Sequence, residues 1–231
     1  MGAITNTDVI IYGGSKGIGL NIAKDLAERG YGVTNVSRSL PLQHEAVFKT
    51  QLFDVTHPEF SERNTAIIQG SPKAKIFVFN IGGSFGRHNV IPTVCQIKYL
   101  MKANLYYIVD TIECLRNFGR MKNNLFVFLL TNEHTKINGN IAYYMSKVAL
   151  DLYADKLAKT EEASANHVIK FFPPLILYDE RHLPSLYKNL KTDEERKAFI
   201  EEVLGGHVPV DPNTFAKQIV DKIVHIRKTE C

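Results

Sequence analysis

Near its beginning the chain reads Val9-Ile10-Ile11-Tyr12-Gly13-Gly14-Ser15-Lys16-Gly17-Ile18-Gly19, an apolar run that leads into a glycine-rich loop. After the loop, apolar residues recur at the spacing of one helix face, from Ile18 to Leu26, and Gly30 is a natural stop for this helix. A loop without side chains lets a phosphate approach the backbone, and the N–H groups at the start of the following helix attract an anion. The stretch therefore predicts a strand, loop and helix that bind a pyrophosphate group. A glycine turn without a ligand is the alternative.

Strand and helix signals alternate through the rest of the chain. Further strands are predicted at 33–36, 48–53, 76–79, 125–130 and 168–172, and long helices at 97–115 and 142–159. A capping box at 192–195 opens a short helix that Gly205 ends, and Asp211-Pro212 opens the last helix. This pattern predicts a single α/β domain over residues 1–231. Its core is a doubly wound, Rossmann-like, parallel six-stranded sheet with helices on both faces.

The composition is that of an ordinary globular protein. Of the 231 residues, 45% are hydrophobic and 23% are charged, which argues against disorder and against a disulfide scaffold. The net charge of +4 is spread along the chain, so we expect no nucleic-acid partner. Cys95, Cys114 and Cys231 lack metal-ligand spacing, and we expect free thiols and no bound metal. The sequence has no signal-peptide pattern and no apolar run of the roughly 20 residues that cross a bilayer, so we expect a cytoplasmic protein without membrane contact.

The glycine spacing G-x-x-x-G-x-G, placed between a strand and a helix, resembles that of the short-chain dehydrogenase/reductase family. Ligands in open parallel sheets bind beyond the carboxyl ends of the strands, so the residues that follow each strand can be compared with the family's motifs. The resemblance assigns five loop residues to a dinucleotide cofactor. They are Gly13, Ser15, Gly17, Ile18 and Gly19.

The charges at the end of the second strand indicate which dinucleotide fits. Enzymes that use NAD place an acidic residue there, whereas this chain has Ser37 followed by Arg38 and no carboxylate before Glu45. A 2′-phosphate needs cationic partners, and Lys16 in the glycine loop supplies a second one. This pair of cations is similar to that of the NADPH-preferring members, which implies NADP(H) as the cofactor. Two solvated surface cations are the alternative.

Three more turns after strands compare with the family's cofactor contacts. Asp54-Val55 follows the third strand, where the family's Asp binds the adenine ring. Asn80-Ile81-Gly82 follows the fourth strand and is similar to the family's N-A-G. After the sixth strand Pro173 matches, but Pro174 replaces a Gly and Tyr178 stands near the family's Thr, so the nicotinamide contacts there are open.

Tyr143-Tyr144-Met145-Ser146-Lys147 contains a Y-x-x-x-K pattern that places Tyr143 and Lys147 on one face of a helix. A phenol with a pKa near 10 is a poor proton donor for catalysis at neutral pH, and a nearby ammonium lowers that pKa. The resemblance implies that Tyr143 is the general acid that protonates a carbonyl oxygen, and that Lys147 lowers its pKa and holds the nicotinamide ribose. A surface pair on a helix is the alternative.

Two further residues complete the catalytic set that the resemblance implies. Asn104, in the long helix after the fourth strand, matches the helix Asn of the family's catalytic tetrad, with an ordinary polar residue as the alternative. The family places a Ser after the fifth strand, but position 130 is Leu. Thr131 is the nearest hydroxyl, followed by Thr135, and Thr can donate the same hydrogen bond to a substrate oxygen. We therefore assign the role to Thr131.

Polar residues after the fourth and fifth strands predict a small-molecule substrate with a polar or acidic carbonyl group, although each could be a solvated loop residue. These residues are Arg87, His88, Asn132, Glu133 and His134. The segment at about 178–208 corresponds to the family's variable substrate lid.

The resemblance also implies a homodimer formed through the helices that carry Asn104 and Tyr143. Met145, Ala149 and Leu152 lie on the side of their helix away from Tyr143 and form an apolar surface for this contact. The family's usual seventh strand should follow the last helix, but the sequence ends at Cys231. We therefore expect a dimer rather than a tetramer.

These grounds leave two functions open and exclude a third. The first is an NADPH-dependent oxidoreductase that reduces a ketone or an aldehyde, including sugar-like ones, to an alcohol. The second is an NADP(H)-binding sensor or interaction protein whose catalysis has decayed, which the irregular Thr131 and Pro174 would support. The third, a sugar-nucleotide epimerase or dehydratase of the extended branch, is disfavoured by the glycine spacing and the chain length.

Overall fold

The computed structural model describes residues 7–41, 48–83, 91–131, 140–174, 192–202 and 210–229. The strands are β1 (Asp8–Tyr12), β2 (Gly32–Ser37), β3 (Lys49–Leu52), β4 (Ala74–Phe79), β5 (Leu125–Leu129) and β6 (His167–Phe171). The helices are α1 (Gly17–Glu28), α2 (Phe60–Gln69), α3 (Val94–Met101), α4 (Tyr107–Asn117), α5 (Ile141–Leu157), α6 (Asp193–Glu202) and α7 (Pro212–Thr229). A π-helical turn, Lys102–Tyr106, joins α3 to α4, and a 3₁₀ turn, Glu161–Ala163, precedes β6.

The strands form one parallel sheet in the order β3-β2-β1-β4-β5-β6. The predicted doubly wound, six-stranded sheet is therefore confirmed. Its strand order changes direction between β1 and β4, and ligands of such sheets bind where the strands end at this switch point. We call the edge where the strands end the carboxyl edge, and the opposite edge the amino edge.

All the predicted strands are present, and their ends differ from the prediction by at most two residues. The observed helices differ from the predicted ones in two respects. The sequence reading missed α2, because its buried residues are Phe60, Asn64 and Ile68, and the central one is polar. The helix predicted at 97–115 is interrupted by the π-helical turn, which one continuous apolar pattern does not reveal.

Each face of the sheet buries its own core. Aliphatic residues dominate the side covered by α1 and α7, and most of the buried aromatic residues lie on the side covered by α2, α4 and α5. Tyr12 belongs to this aromatic side and is fully buried. Its hydroxyl donates to Asn64 Oδ1 at 2.6 Å and accepts from Thr111 Oγ1 at 3.2 Å. Burial raises the pKa of Tyr12, so this phenol stays neutral and serves the core.

The guanidinium of Arg120 binds backbone carbonyls at the amino edge. Arg120 donates to the carbonyl oxygens of Ile68 at 2.7 Å, Ser71 at 3.0 Å, Ala74 at 3.1 Å and Pro72 at 3.3 Å. These carbonyls lie between the end of α2 and the start of β4, so Arg120 satisfies acceptors that a helix end leaves unpaired.

The capping signals read from the sequence hold in the structure. At α6 the N–H of Glu195 donates to Thr192 Oγ1 and the N–H of Thr192 donates to Glu195 Oε2, both at 3.1 Å. At α7 the N–H of Thr214 donates to Asp211 Oδ2 at 2.9 Å. Gly205 lies outside the described residues. None of the described helices combines the length and the apolar character that a membrane span requires.

Candidate active site

The glycine loop takes backbone conformations that favour glycine. Gly13 has φ +94° and Gly17 has φ +57°, both in the left-handed region that favours glycine. A Cβ at Gly19 would collide with the Gly13 carbonyl oxygen and the Asn80 side-chain amide. That amide donates to the Gly13 oxygen at 2.7 Å, so Asn80 supports the loop from the end of β4. The residues assigned to the loop therefore lie together at the carboxyl edge.

The start of α1 faces this loop with its backbone N–H groups. Within the described residues no side chain caps the helix, and its N-cap residue is Lys16. Uncapped N–H groups and the helix dipole together favour an anion. The arrangement fits a pyrophosphate group.

The predicted cations for a 2′-phosphate lie at the end of β2 and in the loop. Arg38 is exposed, and its Nη1 lies 3.8 Å from Asp54 Oδ2. Asp54 Oδ1 also accepts from the N–H and the hydroxyl of Thr56, each at 2.8 Å, and Val55 beside it is buried. Lys16 is exposed as well.

Ser37, the third residue expected near the 2′-phosphate, is already hydrogen-bonded within the protein. Its side chain is buried, and its hydroxyl donates to the Ser39 carbonyl at 2.8 Å and accepts from Asn35 Nδ2 at 3.0 Å. The proton of the Ser37 hydroxyl is therefore committed to Ser39.

Lys147 lies deep in the carboxyl edge, on the buried side of α5. Its side chain is 3% exposed, and its Nζ donates to the Leu129 carbonyl at 2.9 Å. Leu129 is the one acceptor that the described residues provide for its three donors. Burial lowers the pKa of Lys147 to about 8. A Cβ at Gly82 would lie 2.9 Å from Nζ, so the turn after β4 is in close contact with this ammonium.

Tyr143 lies one turn before Lys147. Burial raises the pKa of Tyr143, and the nearby side chain of Thr131 acts in the opposite direction. Nζ of Lys147 is 6.0 Å from the centre of the Tyr143 ring. The pKa of Tyr143 is thus shifted upward here, opposite to the lowering by Lys147 that the sequence suggested, because desolvation is the largest effect.

Asn104 lies in the π-helical turn and is fully buried. Its Oδ1 accepts from the N–H of Gly83 at 3.3 Å, and its Nδ2 donates to Ser146 Oγ at 2.8 Å. Ser146 in turn donates to the Tyr143 carbonyl at 2.6 Å. These bonds connect the turn after β4 to the helix that carries the Y-x-x-x-K residues.

Sequence reading missed two residues that position this cluster. Ser146 was not singled out, although it lies inside the Y-x-x-x-K segment and its hydroxyl was a visible signal. Asn140 is the N-cap of α5, and its Oδ1 accepts from the N–H groups of Ala142 at 2.9 Å and Tyr143 at 3.2 Å. An Asn before a helical pattern is a recognised N-cap signal. It places Tyr143 in the first turn of α5.

Several predicted residues lie outside the described part of the chain. They are Arg87, His88, Asn132, Glu133, His134, Thr135 and Tyr178. Of the segment 178–208, the structure describes residues 192–202, most of which form α6. Pro173 and Pro174 are described and half-buried directly after β6.

One cavity of about 300 Å³ lies away from this cluster, between β3 and α2. Its lining includes Lys49, Phe53 and Arg63 and none of the predicted site residues. Among the described residues no group of His, Cys, Asp and Glu side chains is arranged to hold a metal ion. The chemistry available at the carboxyl edge is therefore that of a phenol, a hydroxyl, an amide and a buried ammonium.

Comparison with known proteins identifies the fold. The sequence matches no protein-family model and no curated protein. The structure is similar to L-sorbose reductase from Gluconobacter frateurii, solved with NADPH and L-sorbose, with a TM-score of 0.76, 21% identity and coverage of 93% of this chain and 88% of that chain. It is also similar to a short-chain dehydrogenase family protein from Francisella tularensis (TM-score 0.74, 21% identity, 93% and 89% coverage).

A short-chain dehydrogenase/reductase from Saccharomyces cerevisiae gives a TM-score of 0.72 at 23% identity, with 95% of this chain and 90% of that chain covered. The chain therefore has the fold of the short-chain dehydrogenases/reductases over nearly its whole length. This agrees with the family that the glycine spacing suggested.

Proposed function

We propose that the protein belongs to the short-chain dehydrogenase/reductase family and reduces the carbonyl group of a small molecule to an alcohol with NADPH. The observation that carries the proposal is the cluster of Thr131, Tyr143, Lys147 and Asn104 at the carboxyl edge, near the turn after β4 whose Asn80 supports the glycine loop. The L-sorbose reductase, which shares the fold, was solved with NADPH and a keto-sugar. Its ligands support a polar carbonyl compound as the substrate class here.

The cofactor site would follow the loop and the ends of β1 to β4. The glycine loop and the uncapped start of α1 would hold the pyrophosphate, and Lys16 and Arg38 would pair with the 2′-phosphate. Asp54 lies beside Arg38, where the adenine would bind. The unused donors of Lys147 fit the hydroxyls of the nicotinamide ribose. When bound, the nicotinamide supplies the hydride for the reaction.

The protein's own residues would handle the proton. Tyr143 would donate its phenolic proton to the carbonyl oxygen as the carbon accepts the hydride, a step worth about 10²–10⁴-fold in rate. Thr131, whose side chain lies near Tyr143, would donate its hydroxyl proton to the same substrate oxygen and hold it in line. The positive charge of Lys147 favours phenolate over phenol and would oppose the effect of burial on the pKa of Tyr143.

The proposal is tested by following the oxidation of NADPH with a panel of ketones, aldehydes and keto-sugars. We expect turnover with at least one polar carbonyl compound, and slower turnover with NADH. Tight NADPH binding without turnover of any member of the panel would favour the other reading, an NADP(H)-binding sensor or interaction protein. The proximity of Thr131 to Tyr143, whose pKa it lowers, supports the first reading over this one.

The proposed homodimer has a candidate surface on α5. Ile141, Met145, Val148 and Leu152 are exposed at the spacing of one helix face, whereas Ala149 is half-buried against the core. We expect light scattering at micromolar concentration to give twice the chain mass of 26.1 kDa. Val148→Glu should give the monomer, and a monomeric mass of the unaltered protein would contradict the dimer.

Three more assignments belong to the same proposal. They are a single domain over residues 1–231, a substrate lid at about 178–208 and a cytoplasmic location. The free thiols of Cys95 and Cys114 support a reducing compartment.

A further inference from the structure

Asn35 is an amide at a position where the pattern of β2 calls for an apolar residue. It lies on the α1 side of the sheet, two residues after the buried Val33 and beside Ile11 of β1. Its side chain is fully buried. Burial of an amide costs free energy unless its polar atoms find partners, so the partners of Asn35 indicate its role.

Both polar atoms of the Asn35 side chain form hydrogen bonds. Oδ1 accepts from the N–H of Gly14 at 2.7 Å, and Nδ2 donates to Ser37 Oγ at 3.0 Å and to Thr50 Oγ1 at 3.4 Å. A Cβ at Gly14 would lie 2.7 Å from the same Oδ1, so a side chain there would disturb the contact. Asn35 thus joins the glycine loop to the ends of β2 and β3.

A chain of hydroxyl groups continues from Asn35 towards the surface. Ser37, which accepts from Asn35, donates to the Ser39 carbonyl at 2.8 Å. The hydroxyl of Ser39 donates to Ser15 Oγ at 3.2 Å. Ser15 accepts in this chain, so its own proton is left to donate to another group. Ser15 directly precedes Lys16, in the loop that we assign to the cofactor.

We propose that Asn35 is a positioning residue that sets the selectivity for a cofactor with a phosphate on the adenosine 2′-oxygen. The inference rests on the proposed function. By fixing Gly14 and, through Ser37 and Ser39, the hydroxyl of Ser15, Asn35 aims a neutral donor at the place where Lys16 and Arg38 supply charge. A charged phosphate gains more from such a donor than a ribose hydroxyl does, so its loss reduces selectivity as well as affinity.

The test uses two ligands that contain only the adenosine half of the cofactor, 2′,5′-ADP and 5′-AMP, with calorimetry on the whole protein. Asn35→Asp keeps the shape and the acceptor for Gly14 but replaces the amide donor with an oxygen near the phosphate site. We expect it to lose about tenfold or more in affinity for 2′,5′-ADP, with less than about a threefold change for 5′-AMP. Ser39→Ala, at an exposed position that does not threaten folding, should lose about threefold for 2′,5′-ADP alone.

Asn124→Ala is the matched control, because Asn124 is an equally buried, hydrogen-bonded amide that lies at the amino edge. It should lower the free energy of unfolding and leave the ratio of the two affinities unchanged. If the unaltered protein prefers 2′,5′-ADP and both Asn35→Asp and Ser39→Ala keep that preference, the role of Asn35 is wrong and the proposed cofactor stands. If the unaltered protein does not prefer 2′,5′-ADP, both proposals fail.

Discussion

A half-buried cation, Arg120, and a buried one, Lys147, lie at opposite edges of the same sheet, and burial lowers the pKa of both. At the amino edge Arg120 donates to four backbone carbonyls, so its donors are largely satisfied by the fold. At the carboxyl edge Lys147 has Leu129 as its one acceptor among the described residues. We propose a distinction between Arg120, which stabilises the fold, and Lys147, which keeps donors for a ligand.

The largest effect is expected at the carboxyl edge. Lys147→Met should lower NADPH-dependent turnover by about 10²-fold or more, because it removes the charge beside Tyr143 and the donors for the ribose. The variant should still fold at neutral pH, since a buried ammonium with one acceptor is costly to retain. Turnover assays and thermal unfolding of the same preparation check both parts. Turnover within about threefold of that of the unaltered protein would contradict the proposed role of Lys147 in the site.

At the amino edge the expected loss is in stability. Arg120→Met should lower the free energy of unfolding by about 3 kcal/mol, because the carbonyls around Ile68 and Ala74 lose their donor. Turnover per folded molecule should be unchanged. Urea unfolding and assays well below the melting temperature measure these effects, with Arg120→Lys as a control that keeps the charge and loses the planar fork. A loss of turnover without a loss of stability would place Arg120 in the active site.

The pKa of Lys147 gives the third prediction. Its value of about 8 in the folded protein is below the ordinary 10.5, so between these pH values the unfolded chain binds more protons than the folded one. The burial cost is therefore present below about pH 8 and is relieved as pH rises towards 10.5. Compared with Lys147→Met, the unaltered protein should gain stability across this window. Denaturant unfolding of both proteins at several pH values measures it, and a pH-independent difference would contradict the buried charge.

The smallest effect is expected for the bonds that connect the two helices of the site. Ser146→Ala should lower kcat by about tenfold, because Asn104 Nδ2 loses its acceptor and the position of Tyr143 loosens. The affinity for NADPH should not change, and Ser146→Thr should restore most of kcat because it keeps the hydroxyl. Steady-state kinetics separate the two parameters. Equal kcat in the Ala and Thr variants would show that the hydroxyl does not position the site.

The strands and the glycine loop could be predicted from the sequence because each rests on a local pattern. Strands covered on both faces give apolar runs such as 76–79, and the turns of Gly13 and Gly17 need φ values that glycine adopts freely. The helix α2 could not, because the middle of its buried face is Asn64, which accepts a hydrogen bond from Tyr12 of β1. The two residues of this hydrogen bond are 52 positions apart, so a local sequence pattern cannot reveal it.

Only the part of the candidate site that forms a local sequence motif could be predicted. Tyr143 and Lys147 show in a five-residue pattern, but whether Thr131 lies near the phenol depends on the path of the chain after β5. The upward shift in the pKa of Tyr143 depends on burial, which spacing does not reveal. Asn35 looks like any polar residue in a strand until its contact with Gly14 is known.

The central claim is that Tyr143 supplies the proton for an NADPH-dependent carbonyl reduction, and Tyr143→Phe tests it most directly. The variant removes one hydroxyl and keeps the ring. With a carbonyl substrate and NADPH deuterated at the transferring carbon, the unaltered protein should produce an alcohol labelled on the former carbonyl carbon. Tyr143→Phe should bind NADPH with unchanged affinity. Its rate of alcohol formation should fall by about 10²-fold or more. An unchanged rate of labelled alcohol formation in Tyr143→Phe would contradict the account.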